Sequence, residues 1–361
     1  MKTQLFNVLH VVAKELLKSK KMITQTMTGL VSRGDIEIND LPLITAPMYS
    51  VVNDDCINDF LSEGVQVCMP REDKFIITMD YFPSVTLKFF KETYLQSKFE
   101  VPTMVCIDTA NGNNPDLHKA ITDAKTLHGD NIIIMSGNVG SVQAFAGLAE
   151  SGCDYIRVGI GSGGSCNTSL QTGVGQKNLE KLVHKCYKEY YNVKIVADGI
   201  SAFINKLVAK KEGLDNGYAA INRLLYAGAD LVMIGKLFAQ CLESAGQKYI
   251  NDLEIEKAYF DIPNTYDTPL QFAEQYIKKK TLLVDYYGMS SIEAQAQYNT
   301  HIKASEGSFQ TILVRWKLRD WLYGNNTNEL PGWVNTLKSA MSYTGSEYLN
   351  RFKKEHYGIS V

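Results

Sequence analysis

The stretch 131–159, NIIIMSGNVGSVQAFAGLAESGCDYIRVG, holds the fold in miniature. Its opening, NIIIMS (131–136), is apolar without alternation, the pattern of a strand covered on both faces. A segment of helical length and period comes next at 141–151, and a second short strand, YIRVG (155–159), ends at Gly159. Strand, helix and strand in about thirty residues is the unit from which parallel sheets are assembled.

The unit recurs along the chain. LPLIT (41–45), VQVCM (65–69), FIITM (75–79), PTMVCID (102–108), VKIVA (193–197) and DLVMIG (230–235) bring the strand candidates to eight, with further helical patterns at 176–191 and 202–227. Eight strands alternating with helices point to an α/β chain folded as a (β/α)8 TIM barrel, with a doubly wound open sheet as the competing reading. The strand ends favour the barrel. TAPM, DTANG, SGNVG, GIGSGGS, ADGI and GK all stand there, and a barrel gathers those ends at one mouth, where active sites lie. The chain reads as a single TIM-barrel domain over 1–361. Residues 240–287 are polar and aromatic, show no strong strand, and are expected to leave the barrel as a lid-like or subunit-contact excursion. A helical C-terminal extension completes the chain.

Of 361 residues, 45% are hydrophobic and 21% charged, so a sizeable core is expected. The net charge of −2 provides no field to draw in nucleic acid or an anionic membrane. The short Lys runs at 18–21 and 278–280 read as solvated faces. No signal-peptide pattern or membrane-length apolar run is seen. Seven widely spaced cysteines without a CxxC pair suit a reducing, cytoplasmic compartment. The histidines are not at metal-ligand spacing, so zinc is not expected.

The run after the sixth strand, GIGSGGSCNTSLQTGVGQ (159–176), carries six glycines, five Ser/Thr hydroxyls, one cysteine and no charge. Its glycines allow close backbone approach to a ligand. It fits the bare G-x-G-x-x-G spacing, but Cys and Thr stand where the dinucleotide motif runs into a helix, and the Walker lysine is missing. Cys166 is the sharper feature: a thiol on a polar glycine-rich loop is accessible and can add as thiolate to an electrophilic carbon.

These residues resemble the IMP dehydrogenase/GMP reductase family. The loop matches that family's pattern at Gly159, Gly161, Gly163, Cys166, Thr168 and Thr172 to Gly175. The likeness extends in order through APM (46–48), IDTANG (107–112), SGNVGS (136–141), ADGI (197–200), GADLVMIGK (228–236), YGMSS (287–291), KASEG (303–307) and KSAMSYTG (338–345). Between the branches, only about thirty residues separate Arg71 from Pro102, leaving no space for the dehydrogenase's regulatory CBS insertion, and 288–306 has no room for its Arg-Tyr flap. KASEG resembles the reductase.

The resemblance implies an NADPH-dependent conversion of a guanine nucleotide, GMP or dGMP, to the hypoxanthine nucleotide and ammonia through a covalent thioimidate on Cys166, with Thr168 and Glu306 as proton relay. It implies substrate contacts from Ser165, Asp198, Gly199, Gly235, Lys236, Met289, Ser290, Lys303, Ser305 and Gly307. Arg71, Asp108, Thr109, Ala110, Gly161, Ser339, Ser342 and Tyr343 would meet the cofactor, the last three across a subunit boundary of a homotetramer. Carbonyls of Gly161, Gly163 and Cys166 would hold K+. The alternatives are an IMP dehydrogenase-like enzyme without CBS domains and a catalytically altered purine-nucleotide-binding barrel. The chain departs from the family pattern at Ser162, Gly164, Asn167, Ile200 and Lys236. The changes at 164, 200 and 236 fall in the phosphate subsite and suggest a modified, deoxy- or differently phosphorylated nucleotide.

Overall fold

A computed structural model of the chain describes residues 36, 38, 40–161, 163, 166, 172–175, 178–189, 192–200, 216–298, 307–325 and 330–354. Its centre is eight strands: β1 Leu43–Thr45, β2 Cys68–Arg71, β3 Phe82–Val85, β4 Thr103–Asp108, β5 Ile132–Val139, β6 Tyr155–Val158, β7 Lys194–Asp198 and β8 Leu231–Ile234. They lie in the order 1-8-7-6-5-4-3-2, every paired neighbour parallel. The two ends of this sheet meet. Thr45 N–H donates to Gln66 O and Gln66 N–H to Leu43 O, each at 3.0 Å. The Thr45 hydroxyl then takes the Cys68 N–H at 3.0 Å and donates to the Cys68 carbonyl at 3.1 Å, closing β1 onto β2. The result is a (β/α)8 barrel.

The uninterrupted apolar strands are explained by two covers. Alternate residues such as Ile44, Cys106, Met135, Val196 and Met233 fill the barrel interior. Their neighbours, among them Leu43, Val105, Ile107, Ile195 and Ile234, face the outer layer with the helices. Helix Pro115–His128 starts where Asn114 caps it and Pro115 fits its first turn; helix Val142–Glu150 is capped by Ser141.

Two expectations need correction. FIITM (75–79) is not a strand: the third strand is Phe82–Val85, buried at every residue. Phe75, Ile77 and Met79 are exposed, and their segment is tied down by the Tyr94 hydroxyl at Ile76 and by Thr103 at Thr78. Pro83 lowers the sequence signal of the true strand. Residues 240–287 do contain strands. β9 Lys248–Ile250, β10 Leu253–Glu254, β11 Leu282–Tyr287 and β12 Phe309–Leu313 form an antiparallel sheet in the order 10-9-11-12. Asn251 and Asp252, both at positive φ, make the two-residue turn between β9 and β10. Leu242, Ile250, Phe272, Leu282 and Val284 give this sheet a core of its own. No described helix is long and apolar enough to cross a membrane.

Candidate functional site

The strand ends place four polar groups in contact. Asp108 ends β4, Asn138 stands in β5, Arg157 in β6, and Asp198 ends β7. Arg157 shares a strand face with Tyr155, which packs on the barrel interior, so its guanidinium stands inside the barrel. Its Nη1 lies 2.7 Å from Asp108 Oδ1 and its Nη2 3.2 Å from Asp198 Oδ2. Asn138 Nδ2 donates to the same Asp198 oxygen at 2.7 Å and to the Gly159 carbonyl at 2.7 Å. Arg71 Nη1, from the end of β2, stands 3.8 Å from Asp108 Oδ2. Burial by itself would raise the Asp108 carboxyl, but Arg157 and Arg71 outweigh it and hold the group below its ordinary value. Burial likewise opposes the Arg157 charge, and Asp108 and Asp198 keep it protonated well above its usual range.

Gly159 locks this group to the cysteine loop. Its φ is +139°, and a Cβ there would stand 2.1 Å from the Asp198 carbonyl oxygen, so only glycine fits. Cys166, further along the loop, is half-buried, whereas the other six cysteines are buried. Its N–H donates to the Gly163 carbonyl at 3.3 Å. Cys166 also forms an antiparallel bridge with Gly307. Gly307 in turn presses on the turn after β11: a Cβ at 307 would lie 2.6 Å from the Ser291 N and 3.1 Å from the Ser290 carbonyl carbon. The cysteine loop, the end of KASEG and YGMSS therefore converge, although the sequence separates them widely.

The other expected positions are spread around the same mouth and the outer ring. Gly199 and Ile200 come directly after β7, and the Ile200 side chain is buried in the outer core. Gly235 ends β8 against Met48 and the Tyr286 hydroxyl, and half-buried Lys236 begins helix Lys236–Ala239. Thr109 donates from its hydroxyl to Gly137 O at 3.1 Å, and Ala110 is exposed beside it. Met289 and Ser290 are half-buried. Ser339, Ser342 and Tyr343 stand on helix Trp333–Thr344, which packs against helices Leu318–Tyr323 and Tyr218–Tyr226 in the outer ring, with Tyr343 exposed. Ser165, Thr168, Lys303, Ser305 and Glu306 lie outside the described residues.

A cavity of about 470 Å³ opens beside Arg71, lined by Tyr49, Arg71, Glu72, Asp73, Lys74, Thr86 and Gln297. Asp73 is occupied there, accepting from the Thr86 N–H at 2.8 Å and hydroxyl at 3.0 Å. The cavity combines Arg71 and Lys74 with two carboxylates, and Lys74 pairs with Glu72, beside hydroxyl and amide groups. Sequence reasoning missed Arg157. The available signal was a lone charged residue inside an otherwise apolar strand, which must have partners to be buried there.

A family model described as IMP dehydrogenase / GMP reductase domain matches residues 98–360. A GMP reductase of Mesoplasma florum is 29% identical over 341 residues, covering 88% of this chain and 87% of that protein. A GMP reductase of Streptococcus agalactiae serotype V is 26% identical over 333 residues, 88% of this chain and 84% of that protein. One from Streptococcus pyogenes serotype M5 is 29% identical over 237 residues, 63% of this chain and 68% of that protein.

Proposed function

This chain belongs to the IMP dehydrogenase / GMP reductase family, and from that premise we propose that it is an NADPH-dependent GMP reductase-like oxidoreductase. It converts a guanine nucleotide, GMP or dGMP, to the hypoxanthine nucleotide with release of ammonia. The observation that carries this reading is the bridge between Cys166 and Gly307, with Gly307 seated on Ser290–Ser291. It sets the one accessible thiol beside the segments that would hold base and ribose.

In this reading the Cys166 thiolate forms a C–S bond to purine C2. The C2–N bond then breaks, and the amino group leaves as ammonia with a proton relayed by Thr168 and Glu306, leaving a thioimidate on Cys166. NADPH, when bound, supplies the hydride that C2 accepts. Cleavage of the C–S bond then returns the thiolate and releases the product. Asp198, held by Arg157 and Asn138, accepts from the ribose hydroxyls. Gly199, Gly235, Ser165 and Lys236 surround the phosphate, and Met289, Ser290, Lys303, Ser305 and Gly307 the nucleoside. Ile200 turns its side chain into the core, so the change there leaves the phosphate side open for Lys236 to act as a point charge.

The cavity beside Arg71 suits the ribose of a dinucleotide, because its hydroxyl, amide and carboxylate groups match ribose hydroxyls, with Arg71 as the cation beside them. Arg71, Asp108, Thr109, Ala110 and Gly161 would hold the near half of NADPH. Ser339, Ser342 and Tyr343 would serve a neighbouring subunit, their helix lying in the outer ring with Tyr343 turned to the surface. The all-oxygen set of Gly161, Gly163 and Cys166 carbonyls suits K+; the Gly163 carbonyl has a second lone pair beyond the one taken by Cys166 N–H. The excursion at 240–287 is read as a subunit-contact element, on its exposed Phe260, Tyr266 and Leu270, in a homotetramer.

The test mixes the protein with GMP or dGMP and NADPH and monitors the reduced-cofactor absorbance. Oxidation that depends on the guanine nucleotide and is lost in Cys166→Ala is the expected result. No oxidation with either nucleotide, or NAD reduction with IMP instead, overturns the assignment.

A further inference from the structure

Arg157 reaches across a neighbouring strand. Register places Asp108 of β4 opposite Gly137 of β5, and Gly137 opposite Arg157 of β6. Gly137 has no side chain to fill the intervening space, and a Cβ there would stand 2.7 Å from the Arg157 Cβ. The guanidinium therefore crosses β5 to meet Asp108, while its other nitrogen meets Asp198 on β7. Its side chain is only 8% exposed, against 14% for Asp108 and 20% for Asp198. A planar fork with two donor edges can satisfy two carboxylates at once and fixes the direction of each.

We propose that Arg157 is a positioning residue that clamps Asp108 and Asp198 as a fixed pair at the barrel mouth, so that Asp198 meets the nucleotide ribose already oriented. The role rests on the reading that Asp198 accepts from the ribose. Binding then requires no rearrangement of Asp198, because one carboxylate oxygen is held from two sides by Arg157 Nη2 and Asn138 Nδ2. Removing the cation would leave the Asp108 carboxyl with Arg71 alone to oppose the upward push of burial. The ionisable groups around the clamp are Asp108, Asp198, Cys106 and Cys68, with Arg71 beyond Asp108.

The test compares wild type, Arg157→Met and Arg157→Lys by calorimetric titration with GMP and by thermal unfolding without ligand. The clamp predicts that Arg157→Met raises the GMP Kd about tenfold or more, and that Arg157→Lys, which keeps the charge without the fork, recovers part of that loss. It further predicts that the melting deficit of Arg157→Met shrinks between about pH 7.5 and about pH 5.5, as protonation relieves the buried Asp108 carboxyl. A residue that merely fills space would lower the melting temperature equally at both pH values. A folded Arg157→Met that binds GMP within about twofold of wild type, or a deficit independent of pH, overturns the clamp. If Arg157→Met does not fold, Arg157→Lys is read in its place, and wild-type GMP affinity in that variant overturns the clamp. If wild type itself does not bind GMP, the functional reading falls and the pH dependence of the melting deficit alone decides the clamp.

Discussion

Replacing Gly159 by alanine tests how tightly the cysteine loop is seated on the main chain at the end of β7. The added Cβ would start 2.1 Å from the Asp198 carbonyl oxygen and 3.1 Å from its carbon. A comfortable C···O approach is about 3.3 Å, so the two backbones must part by roughly 1 Å. The strain of a non-glycine residue at this φ costs about 1–3 kcal/mol, and forcing apart a packed contact costs about 1–3 kcal/mol more. A total of about 2–6 kcal/mol, at about 2 °C per kcal/mol for a chain of this size, lowers Tm by roughly 4–12 °C. Gly173→Ala is the control. Gly173 also has positive φ, +73°, but a Cβ there meets nothing within 4 Å. It loses only the conformational part, about 1–2 kcal/mol. Differential scanning calorimetry of the two variants isolates the steric share. If both melt within about 1 °C of each other, the contact between Gly159 and Asp198 is not a constraint and the reasoning fails.

Two further outcomes are expected. Iodoacetamide should alkylate Cys166 well before the six buried cysteines, and GMP should protect it; mass spectrometry after timed quenching reads both. Lys248 is buried, donating to the Ser244 and Gly246 carbonyls, and burial lowers its pKa to about 8 from 10.5. Between those values the unfolded chain binds the extra proton, so this group makes stability rise from about pH 8 toward about pH 10, by at most about 3 kcal/mol. Below pH 8 both states are protonated and the cost of burying the charge is present in full. Urea unfolding at about pH 7.5 and about pH 9.5 should show that rise in wild type and not in Lys248→Met.

The barrel was legible because its strands are apolar on both faces and its helices carry strong periods and caps. The strand at 82–85 was not, since Pro83 masks it while the more β-like FIITM lies exposed on the surface. Periodicity ranks segments by composition, and composition does not say which of two adjacent segments finds a neighbour. The small sheet escaped for a related reason: β9 and β10 are three and two residues long, and β11 is stabilised by partners at 248–250 and 309–313 that only the fold brings near. At the mouth, Asp108 and Asp198 announced themselves by ending strands, and Cys166 by its glycine-rich loop. Arg157 did not, because its meaning depends on Gly137 leaving room for it and on carboxylates contributed by two other strands.

The bridge between Cys166 and Gly307 also bears on the order in which the molecule is built. All eight barrel strands have been synthesised once the ribosome reaches Ile234, but the cysteine loop gains its cross-strand partner only when Gly307 emerges. Closing so long a span costs chain entropy that the finished barrel has already reduced by holding Cys166 in place. The strands thus precede the mouth: a nascent chain can carry all eight strands while Cys166 still lacks its partner, and the outer core is completed later still by Trp316, Trp321 and Trp333.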